Sequence, residues 1–560
     1  MANSGDRAAP TTREEAESGT VEITFNGRRR RVPKDRQLAA GLLETGTQVF
    51  TRSLKYRRPR GPFCGRGQCT GCLIRLNGVP MVRSCEVFPR PGDRVETEAG
   101  WPSTDHDLFR GMDWLYSQGM DTTRGFTRPQ FLRPAYISLV RKFGGLGALP
   151  TGGPGRVSSP ERVSVEVLVV GGGSSGSWSR QRITQLRPKS RVLAVDQKQE
   201  GHSVVFLAPL NGKGFQSVVQ RPGKGALLVD AQRVIVATGT YGAGLPFRGS
   251  ELPGTHTGDG LMNLYPQPSR SGIRRLAVFG GGPSTLALLD AWKDRIGVLA
   301  APWDLAPATR TRAQELGIPV REQTLLTAAR GSRKVQSIEL THRGSHEVES
   351  HAADALAIAH RMLPQSGLLF QVGAEMRWHN AGSAYYPVLT ENCETSVPGV
   401  FAVGGVAGFT EEADVQESAE RAVAAVLDER PLTPPRGRSA VGAADGLLSR
   451  RRAREGPSPM LDYHREFLSV KGNKKIVLCP CEDVTLGEVE RVVHDGWEPS
   501  LEVAKRLTGT GMGLCQGRYC MPDTVLLLAV LSGRDPSEVG FFTQRPPVWP
   551  IRIGDLGGSG

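Results

Sequence analysis

Eight of the nine cysteines in this 560-residue chain fall into two groups of four, and no other feature constrains it as tightly. They stand as Cys64, Cys69, Cys72 and Cys85, then Cys393 alone, then Cys479, Cys481, Cys515 and Cys520. Disulfide frameworks belong to short secreted chains that lack a sufficient core. A chain of this length with 39% apolar residues has material for roughly three or four domains. Two compact quartets therefore predict two thiolate metal sites in a reducing compartment. Cys393, with no partner nearby in sequence, reads as a buried thiol.

The first quartet sits in "CGRGQCTGC" and is spaced Cys-x4-Cys-x2-Cys, with twelve residues between Cys72 and Cys85. Three ligands on one loop and a fourth from a following hairpin is the plant-type 2Fe–2S arrangement. Gly65, Gly67 and Gly71 are expected to adopt positive φ and to bring backbone N–H groups close to sulfur. The alternative is a zinc knuckle, although zinc sites usually pair two Cys-x2–4-Cys units.

Patterning divides the rest of the chain. Residues 1–20 lack an apolar segment and read as a disordered tail with no secretory signal. Residues 21–100 form the first domain. "TVEITFNGRRRRVP" is a hairpin at Asn26-Gly27, "LAAGLLETG" a short helix, and "CLIRLNGVPMVRSC" a hairpin at Asn77-Gly78. Residues 101–160 are a connector. From 161 the pattern is α/β: "VSVEVLVVGGGSSG", "RVLAVD" and "AQRVIVATG" are strands, and "IRRLAVFGGGPST" opens a second strand–turn–helix unit. The expected units are a Rossmann-like domain over 161–270 and 371–430, an insertion at 271–370, a Pro/Gly/Arg linker at 431–475 and a small domain at 476–560.

Gly171, Gly173 and Gly176 make a full G-x-G-x-x-G after a strand, and Asp196 ends the next strand, where an acid would hold a ribose hydroxyl. Gly239 closes "VIVATG" and Gly404 lies in the later strand end "VFAVGG". The second turn has Gly280 and Gly282, but Thr285 replaces its third glycine, and the next strand ends without an acid, which argues against NAD(P) there. His202, His256 and His379 lie in separate segments and read as locally hydrogen-bonded. No nucleophile–base–acid set stands out, so no catalytic residue is assigned.

Several of these motifs resemble one family. "SLKYRRPRGP" (Ser53 to Pro62) is similar to a segment of the α subunit of heterotetrameric sarcosine oxidase, whose version of this domain lacks the cysteines. Their presence here points to relatives such as hydrogen cyanide synthase, opine oxidases and proline or hydroxyproline dehydrogenases. "CPCEDVT" with "KRLTGTGMGLCQGRYC" resembles the bacterioferritin-associated-ferredoxin-like (BFD-like) domain, a small helical fold in which helix N-termini face a 2Fe–2S cluster; structural zinc is again the alternative. The central glycine turns resemble the two-dinucleotide-binding-domain flavoproteins.

Three departures bear on the flavin. Only 68 positions separate Gly171 from Gly239, the helix "SWSRQRITQLRP" is unusually polar, and Val403-Gly404-Gly405 stands where that family has Gly-Asp.

The resemblance implies a multidomain α/β protein: a ferredoxin-like β-grasp domain, a Rossmann-like flavoprotein core and a BFD-like domain. It implies two 2Fe–2S clusters, with FAD or another nucleotide at the glycine turn and FMN at a subunit interface in some members. The expected function is an electron-relaying α-type subunit of an amine or amino-acid oxidoreductase acting on CH–NH or CH–NH2 donors. Its partner would be a D-amino-acid-oxidase-like flavoprotein β subunit, its acceptor a quinone or one-electron carrier. The rival readings are a self-contained NAD(P)H-dependent flavin/iron–sulfur oxidoreductase and a non-redox scaffold.

The net charge of +14 comes from dispersed basic residues and three separate runs, Arg28 to Arg31, "KYRRPR" and "SRRRAR". None carries an aromatic stacking set, which argues against nucleic acid and leaves an acidic partner or an anionic membrane surface. No stretch approaches the ~18 apolar residues that span a bilayer. The expectation is a cytoplasmic protein, or one peripheral to the inner face of a membrane.

Overall fold

Two Asn-Gly turns set the N-terminal sheet. In the computed structural model, Asn26 and Gly27 both have positive φ and join strands Thr20–Phe25 and Arg28–Pro33; Asn77 and Gly78 do the same for Leu73–Leu76 and Val79–Arg83. Strand Arg94–Thr97 lies between the two hairpins, parallel to the first and antiparallel to the second. Helix Leu38–Glu44 buries Leu38, Leu42 and Leu43 against this sheet.

The structure describes residues 19–100, 103–111, 160–197, 201–210, 214–221, 224–427, 458–470 and 472–551, with a few isolated positions besides. Residues 1–18 of the expected tail, most of the 101–160 connector and most of the 431–475 linker, including the "SRRRAR" run, lie outside them.

The chain divides into two compact units. The first gathers Met1–Gly152, Gly242–Arg361 and Tyr463–Arg534. Its second segment carries a parallel sheet in the order Thr255–Thr257, Ala355–Ala359, Leu276–Gly280, Ile296–Ala300, Val320–Arg321. One continuous apolar core joins this sheet to the N-terminal domain, with Ile23, Leu42 and Ile74 in the same cluster as Leu261, Val278 and Trp292. The third segment is helical: Leu486–His494, Leu501–Thr508 and Met521–Ser532.

The second unit comprises Gly153–Tyr241, Met362–Asp462 and Asp535–Gly560. Its sheet runs Val192–Val195, Glu161–Val170, Gly225–Val236, Phe215–Arg221, Ser203–Pro209. Gly225–Val236 is longer than the nine residues expected. Its first half pairs antiparallel with Phe215–Arg221, and Val234, Ile235 and Val236 pair parallel with Val400, Phe401 and Ala402. The polar helix Ser174–Leu186 fits this sheet through small residues, burying Ser175, Gly176, Ser179 and Ile183. Ser179 Oγ donates to the Ser175 carbonyl at 2.8 Å and so satisfies its own polar group.

The described residues from Asp535 to Ile551 belong to this second unit. The Val548 amide donates to the Val205 carbonyl at 2.8 Å and its side chain enters the core, while Phe541 packs on Phe370 at a ring separation of 4.6 Å.

Candidate functional site

The first quartet closes through sulfur contacts. Cys72 and Cys85 sulfurs lie 3.4 Å apart, and Cys64 makes thiol contacts with both Cys69 and Cys85. Backbone donors surround them. The Gly67 amide points to Cys85 Sγ (3.1 Å), the Gln68 and Cys69 amides to Cys64 Sγ (3.3 Å each), and the Gly71 amide to Cys69 Sγ (3.5 Å). Gly65 and Gly67 have the expected positive φ; Gly71 does not. Gly71 is required for another reason: a Cβ there would collide with the Gly61 carbonyl oxygen.

The second quartet meets as two pairs, Cys479 with Cys520 and Cys481 with Cys515. Amides of Gly511 and Glu482 face Cys479, and those of Tyr519 and Gly517 face Cys515. The hydrogen bond from Cys481 holds the Cys515 thiol down at about 6, against the upward push of burial. Helix Met521–Ser532 begins at Cys520, so one helix N-terminus is built on a quartet cysteine. That of Leu486–His494 is closed by a Thr485–Glu488 capping box instead. Among the described residues, no three or more His, Cys, Asp or Glu side chains are arranged to hold a single metal ion.

The quartets, some four hundred positions apart, are neighbours in the first unit. Thr70 Oγ1 donates to Cys481 Sγ at 3.6 Å, and Tyr519 Oη donates to Gln68 Oε1 at 3.0 Å. Cys69 and Cys481 line one cavity of about 60 Å³ together with Arg60, Phe63, Thr70 and Tyr519.

The basic run "KYRRPR" forms this junction. Arg57 bonds Asp107 (3.0 Å), Arg58 bonds Glu251 (3.1 Å) and Arg60 bonds Asp483 (2.5 Å). The Lys55 amide donates to Asp483 Oδ2 at 2.8 Å. These charges meet internal carboxylates, not solvent. Sequence reasoning missed Thr70, Gln68, Tyr519 and Asp483; the one available signal was an acidic Glu-Asp pair directly after Cys481.

In the second unit the structure brings Gly171, Gly173, Gly176, Asp196, Gly239 and Gly404 to one end of the sheet. Gly171 has φ +111°, and a Cβ there would meet the Ala237 carbonyl; a Cβ on Gly172 would meet the Asp196 carboxylate. Helix Ser174–Leu186 starts at Gly173 with no side chain capping it, and nothing lies within 4 Å of an added Gly173 Cβ. Gly404 packs against Ser175, and its N–H donates to Ser418 Oγ at 3.1 Å.

Gly280 and Gly282 sit in the first unit. There Thr285 is fully buried, accepts from the Gly281 amide at 3.0 Å and donates to the Ala359 carbonyl at 3.2 Å. His379 packs on Tyr386, whereas His256 is buried with Nδ1 unpartnered, its ring bonded only to the Pro62 backbone. Cys393 is fully buried in the core of the second unit.

Comparison with known proteins follows this division. Residues 18–100 match the 2Fe-2S iron-sulfur cluster binding domain family, 212–428 the pyridine nucleotide-disulphide oxidoreductase family and 473–559 the sarcosine oxidase A3 domain family. The alpha subunit of sarcosine oxidase from Rhizobium meliloti (strain 1021) is 24% identical over 96% of this chain; the match spans 58% of that relative's length. The A component of opine oxidase from the same strain is 27% identical over 58% of this chain and 76% of its own. The crystal structure of L-proline dehydrogenase from P. horikoshii covers 96% of this chain and 97% of its own, with a TM-score of 0.64 at 19% identity, and shares the fold. No helix among the described residues is long and apolar enough to cross a membrane. The chain is a homologue of the sarcosine oxidase alpha subunit and the opine oxidase A component, a multidomain α/β protein with a 2Fe–2S ferredoxin-like domain, a Rossmann-like pyridine nucleotide-disulphide oxidoreductase core and a sarcosine oxidase A3 domain.

Proposed function

We propose that this chain is the electron-relaying, α-type subunit of a hetero-oligomeric, flavin-dependent amine or amino-acid oxidoreductase. Cys64, Cys69, Cys72 and Cys85 would hold one 2Fe–2S cluster, and Cys479, Cys481, Cys515 and Cys520 a second. Such clusters, when bound, take up and release one electron at a time, which suits passage from a two-electron flavin to a quinone or one-electron acceptor. The observation that carries the reading is the set of backbone N–H groups aimed at sulfur in both quartets, since such donors stabilise an anionic thiolate centre and tune its potential. In the second quartet, Cys479 meets Cys520 and Cys481 meets Cys515, so all four thiols would be at hand to hold a binuclear centre.

Other residues support the same division of labour. The uncapped helix start at Gly173, the tight packing at Gly171 and Gly176 and the Asp196 carboxylate beside Gly172 fit the adenosine end of FAD or another nucleotide. The flavin end is less well supported, because the Gly404 amide is taken by Ser418 and Val403-Gly404-Gly405 offers no acid. At the second turn the Thr285 hydroxyl takes the Gly281 amide that a dinucleotide phosphate would need. That favours a relay over a self-contained NAD(P)H reductase. Substrate oxidation would occur in a D-amino-acid-oxidase-like flavoprotein partner, with FMN held between subunits as in some members of the family.

The test is metal analysis of the full-length protein produced under reducing, iron-replete conditions. The expected content is about four irons and as many labile sulfides per chain. Cys72→Ser and Cys515→Ser should each remove about half. Zinc at either quartet would sink the proposal for that quartet.

A further inference from the structure

Thr70 stands between the two quartets. It follows Cys69 directly in the chain, and its half-buried hydroxyl donates to Cys481 Sγ. The path from one quartet to the other is therefore one peptide link and one hydrogen bond. A second tie holds the two loops in register: Tyr519, next to Cys520, donates to Gln68, next to Cys69. Phe63 packs edge-on against the Tyr519 ring at 5.3 Å, and Arg60 anchors Asp483 two residues after Cys481. All these groups belong to one compact unit.

We infer that Thr70 is the positioning residue for electron exchange between the two quartets and sets its direction. The inference rests on the proposal that both quartets hold 2Fe–2S centres. A hydroxyl donor to a ligand sulfur stabilises the form carrying more negative charge, which is the reduced form. Thr70 therefore raises the potential of the C-terminal centre relative to the N-terminal one and favours flow from first quartet to second. One electron changes place, no bond forms or breaks, and Thr70 keeps its proton. The electron enters from the substrate-reduced flavin of the partner and leaves to a quinone or one-electron carrier. Gln68 and Tyr519 act at one remove, by keeping the Thr70 hydroxyl within reach of Cys481.

The test is a redox titration of the full-length protein followed by electron paramagnetic resonance. The wild-type protein should give two reduced signals that broaden one another, as neighbouring paramagnets do. Thr70→Val should lower the potential of the C-terminal centre only, cutting the equilibrium constant for exchange about tenfold, or about 59 mV for a one-electron couple. Thr70→Ser, which keeps the hydroxyl, should restore the wild-type value. The inference is overturned if both centres are present in full and Thr70→Val leaves the potential unmoved, or if the serine variant behaves like valine. Should the valine variant fail to fold, Thr70→Ala and the wild-type spectrum still decide: two reduced signals with no mutual broadening overturn it. A C-terminal quartet that takes up no iron–sulfur centre fails earlier and removes the underlying proposal with it.

Discussion

Arg60 Nη2 and Asp483 Oδ1 meet at 2.5 Å, although 423 positions separate them, and both side chains are buried. Asp483 also takes the Lys55 amide, so one carboxylate fixes the 53–60 segment against the Cys479–Cys481 loop. Removing one partner leaves an uncompensated buried charge, at a typical cost of about 3–5 kcal/mol. Asp483→Ala should therefore lower the melting temperature sharply, and should lower iron content at the second quartet more than at the first. The paired replacement Arg60→Met with Asp483→Leu should cost less than either single change, as a double-mutant cycle by calorimetry will read.

Two glycines give opposite expectations. Gly71→Ala drives a methyl into the Gly61 carbonyl beside the first quartet, so the variant should lose the iron of that quartet. Gly78→Ala, at φ +81° with nothing within 4 Å, should cost only about 1–2 kcal/mol of backbone strain and keep full iron. Iron analysis together with thermal melts separates the two effects.

Thr285 is expected to matter for stability and not for nucleotide binding. Thr285→Val keeps the shape but strands the Gly281 amide and removes a donor to Ala359, at about 1–3 kcal/mol. Calorimetric titration of NADH into the wild-type protein should give no binding heat. Tight binding there would revive the self-contained reductase.

Burial holds the His256 imidazole down at about 4, against an opposing pull from the Pro62 backbone. Burial likewise pushes His360 well below its ordinary range. Both folded values lie under the unfolded value of about 6.5, so the unfolded chain binds more protons in that window. Stability should thus be intact above about pH 6.5 and fall as pH drops toward 4, with His256 contributing about 3 kcal/mol. His256→Phe should flatten the dependence of melting temperature on pH across that range; an unchanged slope would count against the assignment.

What the sequence made legible was local. Asn26-Gly27 and Asn77-Gly78 announce their hairpins because only a few residues tolerate two successive positive φ values. The glycine turn at Gly171 is readable because a Cβ on Gly171 or Gly176 would strike a backbone carbonyl, and the quartets because thiol spacing is itself chemistry. What escaped was long-range. Nothing near Thr70 indicates that Cys481 lies beyond its hydroxyl, and "KYRRPR" looks like a solvated basic run until Asp107, Glu251 and Asp483 are placed around it. The tail joins the core of the second unit through Val548, whose amide meets the Val205 carbonyl, and through Phe541 on Phe370, contacts too scattered in sequence to leave a periodic signal.

The first unit is assembled from three separated stretches of chain, the last beginning at Tyr463. At a synthesis rate of about 5–20 residues per second, Arg60 emerges from the ribosome roughly 20 to 80 s before Asp483 exists. Until then the loop around Cys64, Cys69 and Cys72 is without the partners that Thr70, Gln68 and Arg60 meet in the finished fold. A chain truncated before Tyr463 lacks the Cys481, Tyr519 and Asp483 side of the junction, so its first quartet is expected to exchange bound metal faster than that of the full-length protein.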